Sequence, residues 1–368
     1  MSIAIFLATD LNMGGGVERW ALNTIFGKPE DVKITVISTD YSDSKRFAID
    51  DSSISKIAEE QKLSLLENKF NFFRKSRILS FLLDNFLIPL ILTLFKRKYA
   101  EELNLSDVDT VYLTKNQYWK LFSGKKIVGS NHTEFGSDSF FSIMKARLYK
   151  SGLIYRNISS FHVFPGRKKI EAILGEKAKI AVIPNGTPCR KCDGRTGEKI
   201  SFLFVGRLES IKGIGILLEA WKNLNRENCH LNIIGKGSFD AKNYADLKNV
   251  SFKGIVTDEK LNEFYCNSDV FIYPTLWDSF PNTIIEAMSA GCKIITSNFL
   301  RNAFGGTETQ NFITFIKPEA DSVSKEMAST ADNIERTRKE GELAFQFFAN
   351  NYEISIVNNL LFSFLNSL

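Results

Sequence analysis

Residues 270–297 read VFIYPTLWDSFPNTIIEAMSAGCKIITS. A short apolar run rich in β-favouring residues, Val270–Tyr273, leads into a loop, Pro274 to Asn282, and a helical pattern starts at about Thr283. Another short apolar run, Lys293–Thr296, follows the glycine at Gly291. Strand, helix and strand in this order form a βαβ unit, and such a unit demands parallel strands. Ligands of parallel sheets bind beyond the carboxyl ends of the strands. The loop after Tyr273 is therefore the first place to look for chemistry.

The same alternation recurs outward in both directions. Ile200–Val205, His230–Ile234 and Val250–Phe252 read as strands. Ile214–Leu224 reads as a helix, with Ile214, Leu217, Leu218, Trp221 and Leu224 along one side. Upstream, Ile3–Ala8, Lys33–Ser38, Thr110–Leu113, Lys126–Gly129 and Phe161–Phe164 read as strands, and Glu18–Phe26 as the start of a helix. Between the two series, Ile183 to Lys199 (IPNGTPCRKCDGRTGEK) is rich in Gly, Pro and charge, the composition of an interdomain linker. The expected architecture is α/β: two doubly wound, Rossmann-like parallel-sheet domains facing a central cleft. The expected boundaries are a first domain at 1–185, a linker at 186–199, a second domain at 200–340, and a helical tail at 341–368 that packs back on the first domain.

Composition supports a two-domain globular chain. The 368 residues are 44% hydrophobic and 24% charged, which excludes collagen-like, disordered and small disulfide-rich classes. The net charge of +5 is weak for a nucleic-acid binder, and none is expected as a partner. The charge is uneven: residues 1–190 carry 28 Lys and Arg against 20 Asp and Glu, whereas 191–368 carry 19 against 22. A basic first half is expected to meet something anionic. The first residues, MSIAIFLATD, read as a buried strand rather than a signal peptide, and the expected location is cytoplasmic. The five cysteines, odd in number and irregular in spacing, fit a reducing compartment. Cys189 and Cys192 form a CxxC, but no second pair or nearby His completes a zinc set, so loop thiols are expected.

Three loops are candidate anion holders. Gly14-Gly15-Gly16 precedes a helix, where backbone N–H groups and the helix N-terminus favour phosphate. It is neither a GxGxxG fingerprint nor a P-loop. After Ile200–Val205 come Arg207 and Lys212, a bidentate and a point-charge phosphate ligand leading into a helix. After Tyr273, Asp278 and Glu286 stand eight apart, and Pro281 suits a helix start whose free N–H groups lie near Asn282 to Ile284. One ligand would meet donors at its anionic part and carboxylates at its hydroxyls.

These strings together resemble the retaining glycosyltransferases of the GT-B fold, family 4 (glycosyl transferases group 1). That family's donor signature is Glu-x7-Glu within E-G-F-P-N-x-x-x-E-A-M. Here Asp278 replaces the first Glu and Ser279 the Gly, while Phe280-Pro281-Asn282, Glu286-Ala287-Met288 and Gly291 match. GGVER (Gly15 to Arg19), IPNG (Ile183 to Gly186), VGRLESIKG (Val205 to Gly213), IIGKG (Ile233 to Gly237) and Gly305-Gly306 match in the family's order. The matches run from residue 3 to about residue 316.

The resemblance implies a nucleotide-diphosphate sugar donor, such as a UDP- or GDP-sugar, with no metal and no other cofactor. Gly15, Gly16, Arg207 and Lys212 would hold the diphosphate. The two cations would stabilise the leaving group more as the glycosidic bond breaks. Gly235, Phe280, Pro281, Asn282, Thr283 and Glu286 would hold nucleotide and sugar, with Glu286 accepting from the ribose hydroxyls. Asp278 would hold hydroxyls of the transferred sugar. His132, in SNHTEFG, would touch a sugar hydroxyl near the reacting carbon. The sugar would keep its anomeric configuration. The shorter Asp278 bears on which sugar is held more than on the reaction type.

The acceptor surface is expected on the first domain. Its stretch Ile78 to Phe95 is apolar, interrupted by Asp84, Asn85 and Pro89 and flanked by Arg77, Lys96, Arg97 and Lys98. Interfacial aromatics with cations near headgroups suit an anionic bilayer, whereas packing of the same aromatics into the core leaves the cations as a solvated face. A lipid-linked or cell-surface glycan precursor is the expected acceptor. The alternatives are a non-catalytic nucleotide-sugar-binding subunit, a sugar-nucleotide epimerase of similar architecture, and an NAD oxidoreductase, which the missing GxGxxG disfavours.

Overall fold

The computed structural model describes residues 1–7, 9, 11, 15–39, 57–66, 69–70, 72, 76–122, 124–131, 152–155, 179–224, 226–244, 246–278 and 280–368. His132 and the strand expected at Phe161–Phe164 lie outside the described residues. The chain divides into two units, residues 1–184 with 357–368, and residues 185–356. Both are doubly wound parallel α/β sheets, as the alternation implies.

The first unit holds seven parallel strands: β1 (Ser2–Phe6), β2 (Lys33–Thr39), β3 (Glu59–Leu63), β4 (Thr110–Leu113), β5 (Lys126–Asn131), β6 (Gly152–Tyr155) and β7 (Lys179–Val182). Their order is β3-β2-β1-β4-β5-β6-β7, so the direction of winding reverses between β1 and β4. β1 is buried from Ile3 onward, which is why it reads as a near-continuous apolar run rather than an alternating one. On one face Trp20, from α1 (Gly16–Phe26), stacks on Tyr112 of β4 with centroids 4.8 Å apart. On the other, Phe6 packs against Tyr118 at 4.9 Å and Phe122 at 5.3 Å. β3, β6 and β7 escaped the sequence reading; β3 (EEQKL) is an edge strand with little apolar signal.

The apolar stretch of this unit splits its two faces. Helix α2 (Arg77–Leu82) runs through a π-turn at Leu83–Leu87 into α3 (Ile88–Glu102), whose first turn holds Pro89. The wide turn precedes a proline that cannot donate to the helix ladder. Leu83, Ile88, Leu92 and Tyr99 are buried, whereas Ile78, Phe86, Leu90 and Leu94 are 73%, 56%, 54% and 68% exposed. No helix among the described residues is long and apolar enough to cross a membrane.

The second unit holds β8 (Ile200–Val205), β9 (Cys229–Ile234), β10 (Val250–Gly254), β11 (Val270–Tyr273), β12 (Lys293–Ser297) and β13 (Ile313–Ile316), in the order β10-β9-β8-β11-β12-β13. Its longer helices are α4 (Ile214–Leu224), α5 (Asp258–Cys266), α6 (Asn282–Ser289), α7 (Ala320–Ala331) and α8 (Ile334–Asn351). The predicted apolar side of α4 is the buried one, with Trp221 edge-on to Phe202 at 5.8 Å. Winding reverses between β8 and β11, so the crevice of this unit lies at their carboxyl ends, where Arg207, Lys212 and Asp278 follow in sequence.

A last helix, α9 (Ile354–Asn366), places Val357, Leu361, Phe362 and Leu365 in the same core cluster as Trp20 and Ile25 of the first unit. Asn358 Nδ2 donates to the Thr24 carbonyl at 3.2 Å.

The cysteines correct the expectation of loop thiols. Cys192 forms a disulfide with Cys266, 74 residues away, with Cα atoms 5.2 Å apart. Segment 185–199 belongs to the second unit and brings Cys192 to the end of α5. Cys189, Cys229 and Cys292 are free thiols.

Candidate active site in the second unit

Two glycines shape the floor. Gly213 has φ +76°, and a Cβ there would collide with the Pro274 carbonyl. Only glycine lets the loop after β8 lie against the loop after β11. Leu276 N and Thr275 Oγ1 then both donate to the Ile211 carbonyl, at 2.9 and 3.1 Å. Gly235, with φ +135°, does the same between the loops after β8 and β9, where a Cβ would strike the Gly206 carbonyl.

The first seam brings Lys212 to Asp278. Lys212 Nζ lies 2.6 Å from Asp278 Oδ2, and the two side chains are 10% and 16% exposed. The Tyr273 hydroxyl donates to the same oxygen at 2.9 Å. Burial, reinforced by the Asp278 charge, pushes the Tyr273 phenol well above its ordinary value, so it stays a neutral donor. Arg207 is 58% exposed and pairs with Glu209 at 2.8 Å. Both expected phosphate cations are thus engaged by carboxylates, Lys212 by Asp278 across the seam between two loops and Arg207 by Glu209 of its own loop.

The second cluster forms around Glu286, on the first turns of α6 and only 6% exposed. Tyr265, wholly buried in α5, donates its hydroxyl to Glu286 Oε2 at 2.9 Å. Burial first, and the Glu286 charge next, hold this phenol well above its ordinary value. Arg190 Nη2 lies 3.7 Å from the same carboxylate oxygen, and Arg190 Nε donates to the Glu286 main-chain carbonyl at 3.3 Å. Arg190 Nη1 donates to Asn262 Oδ1 at 3.0 Å, and the guanidinium lies over the Tyr265 ring, 4.6 Å from its centroid. A buried carboxylate without such partners would be strongly penalised.

At the N-terminus of α6, Asn185 Nδ2 donates to Asn282 Oδ1 at 2.7 Å. Pro281 is the N-cap, so its missing N–H removes no helix bond. Thr283 Oγ1 and Asn185 Oδ1 are buried and, among the described residues, have no hydrogen-bond partner, a condition that a polar ligand or water relieves. Phe280 is a packing residue: its ring stacks on Phe304 at 4.7 Å and meets Tyr352 edge-on at 5.9 Å.

In the first unit, Gly15 is the N-cap of α1 and Gly16 its first residue. A Cβ on Gly15 would strike the Glu18 carboxylate, which is buried and accepts from Thr9 Oγ1 at 2.6 Å. The helix N-terminus there already faces an acid of its own first turn.

Sequence reading missed Tyr265, Tyr273, Arg190, Asn185 and the disulfide. Tyr273 was findable, as the last residue of a strand that points into the loop. Arg190 and Asn185 sit in a charged, glycine-rich stretch, where composition gives no hint of tertiary partners. Among the described residues, no group of three or more His, Cys, Asp or Glu gathers in metal-binding geometry.

The sequence profile of the family Glycosyl transferases group 1 matches residues 199–333, most of the second unit. An uncharacterized 41.2 kDa protein in the cps region of Klebsiella pneumoniae is 35% identical over 101 residues, covering 27% of this chain and 28% of that protein. An uncharacterized glycosyltransferase of Methanocaldococcus jannaschii is 24% identical over 310 residues, 78% of this chain and 73% of the relative. The capsular polysaccharide biosynthesis glycosyltransferase CapH of Staphylococcus aureus is 24% identical over 204 residues, 52% of each chain. Among solved structures, Anabaena HepE in complex with UDP and glucose superposes with a TM-score of 0.68 at 14% identity, covering 100% of both chains. An Escherichia coli structure with UDP-2-fluoro glucose gives 0.71 at 13%, covering 100% of this chain and 99% of that one. At these identities the structural likeness establishes the fold alone, and that fold is of the GT-B type.

Proposed function

We propose that the protein is a glycosyltransferase that moves a sugar from a nucleotide-diphosphate donor to a hydroxyl of a glycan precursor. One observation carries the reading. Within the segment matched by the glycosyltransferase profile, Lys212 with Asp278 and the buried Glu286 lie on the loops and helix that follow β8 and β11. Lys212 and Arg207 take the diphosphate, exchanging their carboxylate partners for phosphate oxygens. Their charge then opposes the negative charge that builds on the leaving group. Lys212 released from Asp278 frees that carboxylate for a sugar hydroxyl, so donor binding itself prepares the sugar subsite. Glu286, held by Tyr265 and Arg190, accepts from the ribose hydroxyls. Gly15 and Gly16, and His132, take the roles their resemblance implies.

On this reading the leaving diphosphate accepts the acceptor's proton, the sugar keeps its anomeric configuration, and the two cations replace a metal ion. The relatives named for capsular polysaccharide biosynthesis and for the cps region support a polysaccharide or glycolipid precursor as acceptor. The exposed Ile78, Phe86, Leu90 and Leu94, followed by Lys96, Arg97 and Lys98, support docking of the first unit on an anionic bilayer.

The test presents a panel of nucleotide sugars with crude lipid extract, with and without EDTA, and measures nucleoside diphosphate and labelled lipid. Both products, insensitive to chelator and with the donor's anomeric configuration retained, are expected. Epimerised donor points to the epimerase architecture, and tight binding without turnover to a non-catalytic subunit; either result rejects the transferase.

A further inference from the structure

Segment 190–195 crosses the second unit as a fastened strap. Arg190 reaches Glu286 at its carbonyl and its carboxylate and caps the Tyr265 ring. Two residues on, Cys192 is bonded to Cys266, the residue after Tyr265. Arg195 then closes on the far end of α6, donating to the carbonyls of Ala290 at 2.6 Å and Gly291 at 2.7 Å, and to Tyr265 O at 3.3 Å. One short segment therefore touches α6 at Glu286, in its middle, and just past its C-terminal end, and the segment is covalently fixed between these contacts to the helix that supplies Tyr265. Arg190 itself is only 17% exposed, so its charge is held close to Glu286 with limited solvent screening.

We propose that this strap is a disulfide-fastened brace on α6, with Arg190 the positioning residue that fixes the Glu286 carboxylate for its ligand. The inference rests on the reading of Glu286 as the acceptor of ribose hydroxyls. Arg190 holds Glu286 from behind through main chain and side chain at once, a geometry that requires a planar fork and that lysine cannot reproduce. The disulfide keeps the fork in register. A dithiol reductant delivers two electrons and two protons, converts Cys192 and Cys266 to thiols, and is itself oxidised to its cyclic disulfide. Nothing covalent then ties Arg190 to α5.

The experiment measures affinity calorimetrically for UDP and GDP, each against its 2′,3′-dideoxy analogue, in the intact protein. The quantity read is the ratio of the two affinities, which a merely structural change would not alter selectively. Wild type is expected to prefer the ribonucleotide on the order of tenfold or more, the worth of a charge-assisted hydrogen bond. Arg190→Ala is expected to remove most of that preference while leaving the dideoxy affinity within about twofold. Arg190→Lys should fall between, and Asn262→Ala, which removes an anchor of Arg190 without touching Glu286, should cost about threefold. Dithiothreitol should lower the wild-type preference severalfold and leave Cys192→Ser/Cys266→Ser unchanged. If wild type binds neither nucleotide, the proposed function falls; if it binds both sugars equally, the ribose role of Glu286 falls. If wild type discriminates and Arg190→Ala discriminates as well, the brace is overturned although the function stands. A wild-type preference indifferent to dithiothreitol overturns the part assigned to the disulfide.

Discussion

The two units share a winding pattern and differ in what they do with their strand ends. In the second, the loops after β8 and β11 converge on paired charges at 2.6 Å, and a buried Glu is gripped from two elements. In the first, the described strand ends offer a glycine N-cap facing its own Glu18, while the most distinctive surface is an apolar helical face with basic residues beyond it. The family profile covers residues 199–333 and leaves the first unit unmatched. On the proposed function, the contrast sets a donor site that needs a fixed set of polar partners against a face whose chemistry follows the acceptor.

The contrast breaks first, and by the largest margin, at the second unit's charges. Lys212→Ala and Glu286→Ala are each expected to cut turnover by about 10²–10³, the usual cost of losing a group that meets developing charge or fixes the donor. Radiolabel transfer from the donor measures it, with circular dichroism to confirm folding. Full activity in either variant removes the candidate site. The next effect is on stability. In the chain-entropy description, the Cys192–Cys266 crosslink over 74 residues contributes about 4 kcal/mol. Reduction should lower hydrogen-exchange protection in β8 to β12 and leave β1, β2 and β4 unchanged. Equal loss in both units would show that they unfold as one body.

A smaller effect belongs to the first unit. Leu94→Ser and Phe86→Ser, at residues already 68% and 56% exposed, should each weaken binding to anionic vesicles about tenfold and leave thermal stability unchanged. High salt should release the wild-type protein, because the flanking cations act through the surface potential. Binding that ignores both substitutions places the membrane contact elsewhere.

Much of this was legible in the sequence, for physical reasons that differ by element. Val270–Tyr273 and Ile200–Val205 lie in sheet interiors covered on both faces, so their apolar runs mark them plainly. Asp278, Glu286 and Lys212 stood out because acids and cations after buried strands have no packing reason to be there. The edge strand β3 has no such run. The disulfide was invisible because spacing cannot tell which thiols meet, and the linker composition of 186–199 hid the fact that Arg190 and Arg195 are bonded across the second unit. The difference between Asp278 and the family's Glu was visible as a letter, but its consequence needed the Tyr273 hydroxyl and the Lys212 ammonium on the same oxygen.

The smallest effect is a pH dependence confined to the second unit's buried donors. Tyr265 and Tyr273 both have phenols raised above the ordinary value near 10, chiefly by burial. A raised acid favours its neutral form in the folded state. Its stabilisation is therefore complete below about pH 10 and declines as the unfolded chain ionises above that. The buried Cys292 thiol, pushed up to about 11 by burial, acts in the same direction from about pH 9. Each such phenol removes about 1.4 kcal/mol of stability per pH unit above its unfolded value, as long as it stays protonated when folded. In Tyr265→Phe this loss disappears, along with the hydrogen bond to Glu286. Urea unfolding should then show a stability gap between wild type and Tyr265→Phe that is widest at pH 8 and narrows by pH 11. A gap of constant size would mean that the Tyr265 phenol ionises as easily in the folded protein as in water, and the neutral-donor account of the Glu286 site would fail.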